Sequence, residues 1–184
     1  MKKNTSRRQV VKALVVGGSS FAGILTGISY TGAAETPETS APLSSRQSRV
    51  LQFVGERFVP GAIRCGHVPF VMKMLAVPPE RCLLAIKYFD IPPPYVDSYR
   101  AALDSIDAQS VRTLGMEFYE APDSAQDAIL GRMLSNDVHD WRGPPAPLVY
   151  HFLRLDAVDV VYGTQAGFAA LGIPYMAHIE PPSL

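Results

Sequence analysis

Apolar residues in the central part of the chain return every three to four positions, in runs separated by proline and glycine, and that period predicts helices. Val50, Phe53, Val54 and Phe58 form the first run. Ser44-Ser45-Arg46-Gln47 precedes it with the Ser-x-x-Gln form of a capping box, and Pro60-Gly61 ends it. A second, shorter face (Phe70, Val71, Met74, Leu75) begins beside Pro69, a residue suited to a helix start, and stops at Pro78-Pro79. Cys82, Leu83, Ile86 and Phe89 predict a third short helix, closed by Pro92-Pro93-Pro94. Tyr95, Tyr99, Ala102, Leu103 and Ile106 fall at i, i+4, i+7, i+8 and i+11, the clearest amphipathic stripe in the chain.

Further on, Asp123 or Ser124 can cap a helix whose apolar positions, from Ala125 to Leu134, run to a break near Asn136. A loop holding His139, Trp141 and Gly143-Pro144-Pro145 follows, and then a stretch from Ala146 to Tyr162 long enough for four helical turns. Val158, Val160 and Val161 lower the helix propensity near its end. Thr164 can cap a last short helix, stopped by Gly172 with Pro174 beyond. The segment from Ile173 to Ile179 is apolar, carries one proline and is too short for another helix, so it reads as an extended arm that packs on a surface. No 20- to 50-residue repeat and no hairpin turn between alternating segments is present. The expected fold is all-α, an irregular bundle of short helices with proline-rich connections and an extended C-terminal arm.

The first 34 residues have a different character. Ser6-Arg7-Arg8-Gln9-Val10-Val11-Lys12 is close to the twin-arginine export pattern, with Ser6, Arg7, Arg8 and Lys12 as its defining residues. The apolar stretch behind it is diluted by Gly17, Gly18, Gly23 and Gly27, which makes it a weaker membrane anchor than a Leu/Ile-rich span. Thr31-Gly32-Ala33-Ala34 offers a cleavage site with small residues. The organisation expected is a signal peptide over 1–34, a flexible mature N-terminus over 35–44 and a helical domain over 45–184. The destination is the periplasm, at the inner-membrane face. A leader retained as an anchor is the alternative, and would give membrane contact by itself. Five of the seventeen basic residues lie in the leader, so the mature chain has twelve basic against seventeen acidic residues. An acidic domain without a basic stripe argues against a nucleic acid partner.

Candidate chemistry is sparse. No glycine-rich phosphate loop is present, and His67, His139, His151 and His178 are never spaced as metal ligands, so no cofactor is expected in this chain. Cys65-Gly66-His67 is the nearest approach to a Cys/His nucleophile, but adjacent residues seldom give the geometry that base activation needs. Asp104/Asp107 and Asp156/Asp159 are i, i+3 carboxylate pairs, read here as solvated helix faces rather than acid/base sites. No catalytic residue is therefore assigned. In an oxidising compartment Cys65 and Cys82 can form a disulfide worth about 2 to 4 kcal/mol, or can remain two buried thiols. Trp141 and Tyr150 flank a proline-rich loop that is either core or interface. Together with Tyr162 and the arm residues Tyr175, Met176 and His178 they are candidate partner contacts.

With these parts placed, the chain resembles the gluconate 2-dehydrogenase subunit 3 family. The residues that carry the resemblance are the twin-arginine leader, Val54-Gly55-Glu56-Arg57-Phe58-Val59-Pro60-Gly61, Tyr99-Arg100-Ala101-Ala102-Leu103, Gln126-Asp127-Ala128-Ile129-Leu130, and the stretch from Pro144 to Pro182. The resemblance implies a non-catalytic small subunit that bears the export signal and escorts a large flavin dehydrogenase subunit. FAD and haem c would then lie in partner subunits, the haem in a multihaem cytochrome c that passes electrons to membrane quinone. The competing readings are a free-standing periplasmic binding protein retained at the membrane and a small periplasmic oxidoreductase.

Overall fold

A computed structural model describes residues 41–174. The leader residues Ser6, Arg7, Arg8 and Lys12, the cleavage region, most of the 35–44 stretch, and Tyr175, Met176 and His178 lie outside the described residues. Among those described, the architecture is all-α, with six helices: α1 (Ser45–Phe58), α2 (His67–Leu75), α3 (Tyr95–Leu114), α4 (Asp123–Leu134), α5 (Ala146–Tyr162) and α6 (Gln165–Ala170). Three 3-10 turns sit in the connections, at Pro79–Arg81, Ala85–Tyr88 and Phe118–Glu120. No helix among the described residues is long and apolar enough to cross a membrane.

Three caps follow the local sequence, whereas α4 begins at Asp123 itself, with Pro122 at the cap position and no side-chain cap bond from Asp123 or Ser124. Ser44 and Gln47 form the reciprocal capping box at the start of α1, with Gln47 N donating to Ser44 Oγ at 3.2 Å and Ser44 N donating to Gln47 Oε1 at 3.0 Å. Thr164 caps α6 by accepting from Gly167 N at 3.0 Å. Gly115 ends α3 in the left-handed conformation, φ 72°, that its lack of a Cβ permits.

α1 and α5 form the centre. α5 packs against α1, α2, α4 and α6, while α1 also meets α2, α3, α4 and the Phe118–Glu120 turn. The core they enclose is built on Leu51, Val54, Leu103, Ile106, Met133, Phe152 and Leu153, all with almost no exposure. Full burial of each large side chain contributes about 1.5 to 3 kcal/mol. Tyr99 and Phe152 meet with ring centroids 5.2 Å apart and so join α3 to α5.

The third helix expected from Cys82, Leu83, Ile86 and Phe89 is not formed. Between the proline clusters the chain makes two 3-10 turns joined by extended residues, Cys82 and Leu84, at ψ 132° and ψ 144°. Cys82, Leu84, Ala85 and Ile86 are buried there, while Leu83 is 62% exposed. Prolines at both ends leave too few residues for a stable α-helix. The Pro93–Pro94 peptide in the same segment is cis.

At Gly55 of α1 the imidazole of His67, at the head of α2, occupies the space that a Cβ would take. Alanine should gain about 1 kcal/mol of helix propensity at this position, yet it must displace a fully buried ring. Gly55→Ala is therefore expected to lower stability by about 1 to 2 kcal/mol in urea unfolding. The loss should disappear when the same change is made in a His67→Ala background. An equal loss in both backgrounds would remove the ring as its cause.

Candidate functional site

Asp156 on α5 is completely buried; it accepts from the backbone N–H of Ala85 at 2.8 Å and from the hydroxyl of Tyr99 in a short hydrogen bond. Burial pushes its carboxyl up to about 7 despite both donors, and burial beside that carboxylate pushes the Tyr99 phenol up as well. Each partner comes from a different element, so the trio ties α5 to α3 and to the Ala85–Tyr88 turn. Asp107 works similarly on α3, where it accepts from Phe118 N at 2.7 Å and pairs with Arg46. Gln126 donates to Phe118 O and Ala121 O, both at 3.0 Å. These contacts pin a 3-10 turn between helices.

This corrects the reading of the two carboxylate pairs as solvated faces. Asp104 and Asp159 are exposed, but Asp107 and Asp156 are inside. A signal was present in the sequence: Asp156 lies four and three positions after Phe152 and Leu153, and Asp107 four after Leu103, so each continues an apolar stripe. That spacing puts both carboxylates on the core face of their helices.

The Cys65-Gly66-His67 stretch is not assembled as a nucleophile. Cys65 is exposed and His67 is in the interior, with both ring nitrogens lacking a hydrogen-bond partner and burial lowering its pKa to about 4. Cys65 and Cys82 are free thiols, the first on the surface and the second in the core, and no bridge joins them. His139 and His151 are exposed. Among the described residues, no group of three His, Cys, Asp or Glu side chains is placed to hold a metal ion.

Two grooves with mainly apolar walls are found among the described residues. The larger, about 520 Å³, lies between the proline-rich segment before α3 and the loop entering α5, with walls of Phe89, Ile91, Pro92, Pro144, Pro145 and Leu148 and with Asp90 and Asp97 beside them. Trp141 shapes the second wall from behind: its indole donates to Pro144 O at 2.7 Å, and its ring packs on the core. Gly143, at φ 93°, lets that loop lie against Ala101 of α3, whose Cβ stands 3.0 Å from where a glycine Cβ would be. The smaller groove, about 360 Å³, is formed by Cys65, Phe70, Leu83, Asp159, Val160 and Thr164. It brings together α2, the exposed Leu83, and the α5–α6 junction.

The candidate partner residues Trp141, Tyr150 and Tyr162 are each half-buried by contacts within the chain. Tyr150 stands edge-on to Phe58 at 4.7 Å, and Tyr162 packs with the small cluster of Val59, Ala62 and Ala157. The grooves were not legible as such, because their walls come from segments about 50 to 100 residues apart in sequence.

The described residues thus define a small all-α domain in which buried Asp107 and Asp156 join helices and turns, and two of the open clefts have mainly apolar walls. The sequence model of the gluconate 2-dehydrogenase subunit 3 family matches residues 45–177, nearly the whole helical region, and the chain belongs to that family. It is accordingly an accessory subunit of the subunit 3 type. No curated protein and no solved structure matches the chain.

Proposed function

We propose that this chain is the non-catalytic small subunit of a periplasmic flavin-dependent dehydrogenase complex. It carries the twin-arginine signal and escorts a large flavin subunit across the inner membrane, alongside a multihaem cytochrome c that accepts the electrons. The observation that carries this reading is the family match over residues 45–177. Two features support it. Buried Asp107 and Asp156 are engaged in joining elements, which suits a chain that acts through contacts. The Ser6-Arg7-Arg8-Gln9-Val10-Val11-Lys12 leader suits export of a folded domain with its partner attached.

The test is purification of the tagged protein from detergent-solubilised membranes, with a visible spectrum and mass spectrometry of the chains that accompany it. Flavin and haem absorbance should arrive with a large flavoprotein, and the chain alone should be colourless. An Arg7→Lys/Arg8→Lys leader should reduce the flavoprotein in the periplasm by about tenfold or more. A chain recovered alone under gentle conditions, with the flavoprotein exported normally, would overturn the proposal.

A further inference from the structure

The larger groove has an unusual combination of walls and charge. Prolines stand on both sides, Pro92 on one and Pro144 and Pro145 on the other, and they fix φ, so the slot is preformed and loses little freedom on filling. Trp141 holds the second wall through its bond to Pro144 O. Two carboxylates line the slot and no cation does. Asp97 has only a distant contact with Arg100, at 3.9 Å. Asp90 makes no ion pair among the described residues and is held at φ 54°, a left-handed conformation uncommon for a residue with a Cβ. Lys87, the nearest cation before it in sequence, is engaged elsewhere, donating to Glu80 O at 3.1 Å.

An apolar slot edged by one unpaired carboxylate and one only distantly paired matches one kind of side chain: a long apolar stem with a positive end. Arginine and lysine lay their methylenes on apolar surface and keep the charge at its edge, and arginine is enriched among the residues that dominate interfaces. We propose that this groove receives an arginine or lysine projecting from an apolar segment of the flavin subunit, the stem against Ile91, Pro92 and Pro144 and the charge between Asp90 and Asp97. The inference rests on the accessory-subunit reading and names the surface through which that role is exercised.

The test uses the detergent-solubilised complex containing the full chain. Hydrogen exchange of peptides covering residues 89–98 and 143–148 is compared between the complex and the free chain, and dissociation on dilution is followed by sedimentation at the flavin absorbance. Asp90→Asn/Asp97→Asn should weaken the complex by about tenfold or more at low salt and flatten its salt dependence. Glu80→Gln/Glu120→Gln, which removes two exposed carboxylates outside the groove, should change it by less than about twofold. Leu148→Trp, placed to fill the slot, should weaken the complex without lowering the melting temperature of the free chain.

A stable complex in which the groove exchanges freely and the Asp90/Asp97 variant binds normally would overturn this docking site and leave the accessory-subunit reading standing. Absence of any flavoprotein complex would overturn both. Protection that appears in the isolated chain as its concentration rises would assign the slot to a second copy. Protection lost when the leader is cleaved would assign it to the chain's own basic leader. Either result displaces the flavin subunit from the groove.

Discussion

Asp156→Asn is expected to match the wild type in stability near pH 4 and to exceed it by about 4 kcal/mol near pH 8, in urea unfolding followed by circular dichroism. The reason is the position of the carboxyl, buried between Tyr99 and the Ala85 amide and raised from 3.8 to about 7. A group whose folded pKa is raised gives its full stabilisation below the unfolded value and loses it as pH climbs through the folded one. Asp156 therefore contributes fully below about pH 4, and the contribution is gone above about pH 7. Asparagine copies the protonated state: its oxygen can accept from Ala85 N while its amide donates to the Tyr99 oxygen.

Alanine offers neither group. Asp156→Ala should lose about 3 kcal/mol near pH 4, where the orphaned Tyr99 hydroxyl and Ala85 amide meet no water, and progressively less toward pH 8. An asparagine variant that keeps the wild-type dependence on pH would show that another group titrates here.

The second large effect belongs to His67 and has the opposite sign. Its folded pKa is lowered from 6.5 to about 4, so its stabilisation is present above pH 6.5 and disappears as pH falls toward 4. That window overlaps the Asp156 window. Across it the folded state carries one proton more on Asp156 and one fewer on His67 than the unfolded chain, and the two slopes, each about 1.4 kcal/mol per pH unit, cancel. Wild-type stability should thus be nearly level between about pH 4 and pH 6.5 as far as these groups decide it.

Removing either group exposes the other. His67→Leu, which fills similar space and asks for no hydrogen bond, should be more stable than the wild type by about 3 kcal/mol near pH 4. It should then weaken steadily toward pH 7. The Asp156→Asn chain should do the reverse, gaining stability from pH 4 to 6.5. The double variant should be level again. A His67→Leu chain with the same pH dependence as the wild type would mean that the buried imidazole is protonated without opening the fold, contrary to its two unpartnered nitrogens.

Much of the fold was legible because its signals are local. Ser44 and Gln47 specify where α1 begins, Thr164 where α6 begins, and the stripe from Tyr95 to Ile106 the inner face of α3, since caps and periods involve residues within one or two turns. The segment from Cys82 to Phe89 was misread as helix for a complementary reason. Its apolar residues suit either period, the flanking prolines shorten it, and the contact that holds the observed turn comes from Asp156, 71 positions from the Ala85 amide it accepts from. The same distance hid Asp107 and Asp156, whose charges suggest solvent although their places on the stripes point inward.

The sequence by itself determined the helical class, the boundaries of most helices, the poverty of cofactor motifs and the family resemblance, because each depends on neighbours along the chain or on short motifs. Only the tertiary structure decided which ionisable groups are buried, that Cys65 and Cys82 stand apart as a surface thiol and a core thiol, and that prolines from two separated segments make one slot beside two carboxylates. Burial and concavity are set by packing between elements distant in sequence, and the energy of a buried charge is a property of everything around it.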